Sequence, residues 1–147
     1  MKFNEAFEGR NYLHSLDILG EPLTTMVLHV DKVELDNHKG TKETKPVVTI
    51  HGGKPFVLNV TNYTRLSRIA KSADTANWKG IIFTVEAIDY PRAESGYALR
   101  VVNRPIKTEA FLEAATDVED LKERYALLND TSYKNIVIKI SKQWIKK

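Results

Sequence analysis

The side chains able to do acid–base or metal chemistry are scattered through the 147-residue chain. His14, His29, His38 and His51 lack the i, i+4 or short-loop spacing by which two imidazoles share a metal ion, and there is no cysteine to supply a thiolate. No glycine-rich phosphate loop, Ser-His-Asp order or paired-carboxylate motif occurs. The expectation is a protein that is not an enzyme and holds neither metal nor cofactor. What remains is a set of cations and rings. His38, Lys39, Lys42 and Lys45 share one polar stretch, His51, Lys54 and Phe56 surround a Gly-Gly turn, and Tyr90, Arg92 and Tyr97 surround another turn. Cations neutralise phosphates and aromatic faces stack on bases, so these are the two types that single-stranded nucleic acid requires. Read without a ligand, the same residues are a solvated loop and ordinary sheet aromatics, and Phe56 suits a core position equally well.

Composition bounds the scaffold that must position them. At 147 residues, 42% hydrophobic and 28% charged, the chain suits one soluble domain, or a small barrel with an appendage. Twenty-two Lys and Arg against 19 Asp and Glu give a net charge of +3, which permits a polyanionic partner without demanding one. The opening MKFNEAFEGRNY has no apolar signal core, and no run approaches the length of a membrane span. With no cysteine framework, these features place the expected protein in the cytoplasm, away from membranes.

Period-two patterning predicts strands over Leu23 to Leu35, Pro46 to Gly52, Pro55 to Val60, Ile81 to Tyr90 and Tyr97 to Asn103. Between the third and fourth, Leu66, Ile69, Ala70 and Ala73 recur at helical spacing, with Thr61 or Asn62 as cap and Arg65, Arg68 and Lys71 off the apolar stripe. The order β-β-β-α-β-β is that of an OB-fold, so a closed or nearly closed five-stranded barrel is expected over Leu23 to Asn103. In the first strand the apolar set shifts from Met26, Leu28 and Val30 to Val33 and Leu35, which predicts a β-bulge between them. Asp36 to Lys45 is wholly polar and reads as a loop, and residues 1–22, with Phe3, Phe7, Tyr12, Leu13, Leu16 and Ile18, read as an arm over one end of the sheet.

After Pro105 the pattern becomes helical. Phe111, Leu112 and Ala115 suggest a short helix, and Thr116-x-x-Glu119 reads as a capping box before Val118, Leu121, Tyr125 and Leu128. Tyr133, Val137, Ile140 and Trp144 fall on one helical face, although IVIKI suits a strand as well. The expected organisation is a mainly β unit over residues 1–105, followed by a C-terminal helical hairpin or small bundle over residues 106–147.

The run from Leu58, Asn59, Thr61 and Asn62, through Asp74, Thr75, Trp78 and Gly80, to Arg100 and Val101 resembles the pattern of a family of small phage-encoded proteins. Their genes lie among replication and recombination genes, and the resemblance spans roughly residues 10 to 104. It implies an OB-like barrel and a phage context. The lysine-rich turn expected between the second and third strands is represented only by Gly53 and Lys54. Two functions are therefore expected as alternatives. One is a single-stranded nucleic-acid-binding protein of phage replication or recombination, with DNA favoured, using Lys39, Lys42, Lys45, His51, Lys54, Phe56, Tyr90, Arg92 and Tyr97. The other is a protein-interaction module that inhibits a host or defence protein through the helical tail.

Overall fold

A computed structural model describes residues 12–36 and 39–145 of the chain. The strands are β1 (Leu23–Asp36), β2 (Lys42–Ile50), β3 (Phe56–Val57), β4 (Ile82–Asp89) and β5 (Tyr97–Val101), with helix α1 (Val60–Ala70) between β3 and β4. They form one antiparallel sheet in the order β3-β2-β1-β4-β5. Helices α2 (Thr108–Glu113), α3 (Val118–Leu128) and α4 (Lys134–Ile145) complete a mixed architecture of sheet and helices. The last segment, ambiguous in sequence, is helix, and among the described residues no helix is long and apolar enough to cross a membrane.

The sheet does not close into the expected barrel: β3 and β5 remain its two edges. The reason is local. Only Phe56 and Val57 of β3 pair with β2, because Asn59 ends the strand by capping α1, its side chain accepting the Asn62 amide at 2.8 Å. The cap is thus Asn59 and not Thr61 or Asn62. Asn62 is instead buried and takes the place of a pairing strand, donating to Leu99 O at 3.0 Å and accepting from Val101 N at 2.9 Å. Arg65 adds a bond to Val101 O at 2.9 Å, so it does not lie free in solvent as its position off the stripe suggested. These side chains satisfy β5 backbone groups that a closing strand would otherwise pair. The helix stops at Ala70, where Lys71 turns left-handed and Ser72 N bonds back to Ser67 O, which leaves Ala73 outside it.

β1 is the central strand and pairs by different halves with two partners, Leu23 to Met26 with β4 and Val27 to Asp36 with β2. The bulge lies between Val27 and His29, earlier than the sequence pattern placed it. It moves the inward face from Thr25 and Val27 to Val30, and Met26 on the opposite face is buried as well. Burial of both faces near the strand's start hid the alternation. The main core gathers Val27, Val48, Ile50, Phe56, Leu58, Leu66, Trp78, Phe83, Val85 and Val101. The arm crosses the open seam, with Leu13 N bonded to Pro55 O at 2.8 Å beside β3 and Ser15 Oγ to Ser95 Oγ at 3.2 Å beside β5. Phe3 and Phe7 lie outside the described residues.

The tail has a core of its own, in which Leu112, Ala115, Leu121 and Ile140 are buried with Tyr125, Tyr133, Val137 and Trp144 against them. α3 is capped by Asp117 and not by Thr116, the Asp117 carboxylate accepting from Asp120 N at 2.7 Å.

Candidate functional site

The cations and rings singled out in the sequence are not gathered into one surface. Phe56 is a core residue, 1% exposed and stacked on Phe83 at 6.3 Å between ring centroids, so it cannot meet a base. His51 turns toward the tail and bonds Asp120. Lys42 and Lys45 lie on β2 and not in a loop, because the hairpin extends to the pair Asp36 and Lys42. Each expected phosphate contact on the second strand and its following turn has a carboxylate beside it: Lys42 with Glu34 at 3.6 Å, Lys45 with Glu43 at 4.0 Å, Lys54 with Asp17 at 3.8 Å. Exposed pairs of this kind add little stability, but they cancel the local charge. Lys39 sits exposed in the turn before β2, and His38 lies outside the described residues.

Register also separates the two loops. β4 continues past the pair Leu23 and Val85, so the turn after Tyr90 projects beyond one end of β1, whereas Lys39 lies beyond the other. Within the β4–β5 hairpin the pairs Glu86 with Arg100 and Ile88 with Ala98, continued by Tyr90 N bonding Gly96 O, put Tyr90 and Arg100 on one face. Tyr97 shares the parity of Leu99 and Val101 and lines a groove of about 300 Å³ with Phe56, Asn59 and Leu13. The two tyrosines therefore face opposite ways. Tyr90 combines a ring with a cation at the surface: the residue is 36% exposed, and the Arg100 guanidinium lies 5.6 Å from its ring centroid. Arg92 is exposed two residues on. Arg100, which sequence reasoning did not select, could have been found from its cross-strand position beside Glu86.

The constellation that sequence reasoning missed joins the sheet to the tail. His51 and Asp120 are 69 residues apart in the chain, and their side chains meet at 2.6 Å. With the carboxylate ionised, His51 must donate from Nε2. Asp120 accepts on its other oxygen from Arg124 Nε at 3.0 Å and from Thr116 N at 3.0 Å. Arg124, only 3% exposed, also donates to Thr24 O at 3.0 Å and Phe111 O at 2.9 Å, and its guanidinium lies 4.8 Å from the Phe111 ring centroid. Gly52, at φ 75°, brings the β2–β3 turn in against this group, where an added Cβ would stand 3.8 Å from Arg124 Nη2. His51, Asp120 and Glu123 hold three ligand-type atoms within 4.8 Å of one another. Their bonding does not suit a cation, since two ligands of a tetrahedral zinc stand roughly 3.3 Å apart and keep their lone pairs for the metal. Here one Asp120 oxygen is committed to His51 and the other to Arg124. The cluster is a polar joint between sheet and tail.

Burial by itself would raise the Asp120 carboxyl. Hydrogen bonds from His51 and Thr116 N–H, with the Arg124 guanidinium alongside, outweigh it and hold the group below its ordinary 3.8. A depressed carboxyl contributes stability above its unfolded pKa and loses it as pH falls through the folded one. The Asp120 contribution should thus be complete at neutral pH and fade below about pH 4. Thermal melts across that range check it: Asp120→Asn should be less stable at neutral pH and show a shallower acid decline. Identical acid limbs for the two proteins would count against the joint.

Beside the joint opens a cleft of about 810 Å³ between the arm turn, the Gly52–Lys54 turn and α3. Asp17, Glu21, Asp117, Glu119, Asp120 and Glu123 line it, with Leu19 and Pro22. The chain is thus an open five-stranded antiparallel sheet carrying a docked helical tail. Comparison with protein-family models, with curated proteins and with solved structures gives no match.

Proposed function

We propose that this chain is a non-catalytic module that binds single-stranded nucleic acid, DNA in preference, in phage replication or recombination in the host cytoplasm. The phage context rests on the residue pattern that runs from Leu58 to Val101. The strand order supports an OB-like reading: a long central β1 paired by one half to β2 and by the other to β4, a helix between β3 and β4, and an opening at the β3/β5 seam. The observation that carries the proposal is the outer face of the β4–β5 hairpin, where the exposed Tyr90 ring, the Arg100 guanidinium and Arg92 offer stacking and charge together.

Fluorescence anisotropy with a labelled single strand of about 30 nucleotides at low salt tests it. Tyr90→Ala should weaken binding by about 1–3 kcal/mol, roughly 5- to 150-fold, as loss of one stacking ring does. Tyr97→Ala, whose ring turns into the groove, should bind close to wild type. Absence of binding at micromolar protein would sink the proposal.

One observation favours a second reading, as a protein-interaction module. Leu16 and Leu19 are 54% and 46% exposed on the arm turn, and Leu19 lines the carboxylate-rich cleft against α3. A cationic, partly apolar segment of a host or defence protein fits that combination.

A further inference from the structure

We infer that the outward face of α4 is a docking surface for the phosphate backbone of nucleic acid, an inference that rests on the nucleic-acid reading and relocates most of its charge. Lys134, Asn135, Ile138, Lys139, Lys142 and Gln143 are exposed. They recur at intervals of three and four residues and therefore share one face of the helix. The opposite face, through Ile136, Val137, Ile140 and Trp144, is committed to the tail core. Asn135, Ile138, Lys139, Lys142 and Gln143 line a shallow depression of about 320 Å³.

Charge distinguishes this face from the rest of the tail. From residue 134 to 147 the chain has five lysines and no carboxylate, whereas the preceding stretch, residues 108 to 133, carries seven carboxylates and two cations. Among the described residues Lys134, Lys139 and Lys142 form no ion pair, in contrast to Lys42, Lys45 and Lys54, each of which has a carboxylate within 4.0 Å. A lysine already neutralised by its own chain releases few counterions when a phosphate arrives; an unpaired one releases its full share. At 1.5 Å of rise per residue, Lys134 and Lys142 are about 12 Å apart along the axis with Lys139 between them. That is a line of positive charge with amide donors beside it, the complement of a regularly charged backbone. With Ile138 as its single exposed apolar side chain, the face lacks the apolar centre of a stable protein interface.

The test uses the full chain, the same labelled single strand of about 30 nucleotides and a salt series. Lys134→Gln/Lys139→Gln/Lys142→Gln should flatten the slope of log affinity against log salt by about 2, at about 0.7 per lost contact. Lys42→Gln/Lys45→Gln should leave the slope unchanged. All five positions are exposed or half-exposed, and circular dichroism confirms that the variants fold. An unchanged slope in the α4 variant, with wild type still binding, overturns this inference and leaves the nucleic-acid reading intact. Failure of the wild type to bind removes both. Should sedimentation show that the α4 variant disperses a self-associated species while its salt slope stays that of wild type, the basic face meets the acidic cleft of a second copy and the phosphate assignment is overturned.

Discussion

Arg124→Ala should destabilise the protein by about 3–5 kcal/mol, the cost of removing one partner from a buried charged pair. For a chain of this size that corresponds to a fall in Tm of about 6–20 °C. Three acceptors and one ring depend on this side chain, an Asp120 oxygen, Thr24 O and Phe111 O, with the Phe111 face beneath the guanidinium, and Asp120 in turn holds the His51 contact. Alanine would leave Thr24 O and Phe111 O without this donor and leave Asp120 with only His51 and Thr116 N. A second substitution separates charge burial from packing. In Arg124→Met/Asp120→Leu both ions are gone and volume is kept, so much of the lost stability should return. Urea melts of the two variants decide the matter; equal loss in both would mean that shape, and not the ionic joint, holds the tail to the sheet.

Trp78→Ala should cost about 3–5 kcal/mol, as truncation of a large buried ring does. Trp78 is fully buried in the main core, its indole N–H donates to Ser72 O at 2.9 Å, and its ring lies 5.2 Å from that of Tyr63. The ring closes the end of the sheet after α1, where Gly80 N returns to Val27 O at 2.8 Å. Trp78→Phe keeps most of the apolar volume and leaves Ser72 O unpaired, a loss of about 1 kcal/mol. Denaturant midpoints give both values. Anisotropy with the labelled single strand should find Trp78→Phe as competent as wild type, and a binding defect at preserved stability would instead place this ring against the ligand.

The strands, α1 and the helical tail were legible because each carries a period that burial enforces locally. Leu66, Ile69 and Ala70 mark α1, and Phe83 and Val85 mark the core face of β4. The bulge at Leu28 was misplaced because the tail covers the second face of β1 near Met26 and Thr24, so both parities there are apolar or bonded. The cap falls on Asn59 and not on Thr61 or Asn62, a choice that residue type alone does not make, because Asn and Thr both cap helices. Only the position of β5 gave Asn62 its other task.

By itself the sequence determined the order of elements, the absence of thiolate chemistry, and the split between a period-two region and a helical tail, since these follow from residue types and nearest-neighbour spacing. The tertiary structure decided whether the sheet closes and which candidate residues face solvent. Closure failed because Asn62 and Arg65 occupy Leu99 O, Val101 N and Val101 O on the edge of β5, which requires knowing that α1 lies along that edge. The joint of His51, Asp120 and Arg124 draws on residues from two regions far apart in the chain, and no local pattern records such a meeting. Lysines look alike in a sequence. Whether a carboxylate stands within 4.0 Å, as for Lys42 and Lys45, or none does, as for Lys139 and Lys142 among the described residues, is set by strand register and helix face.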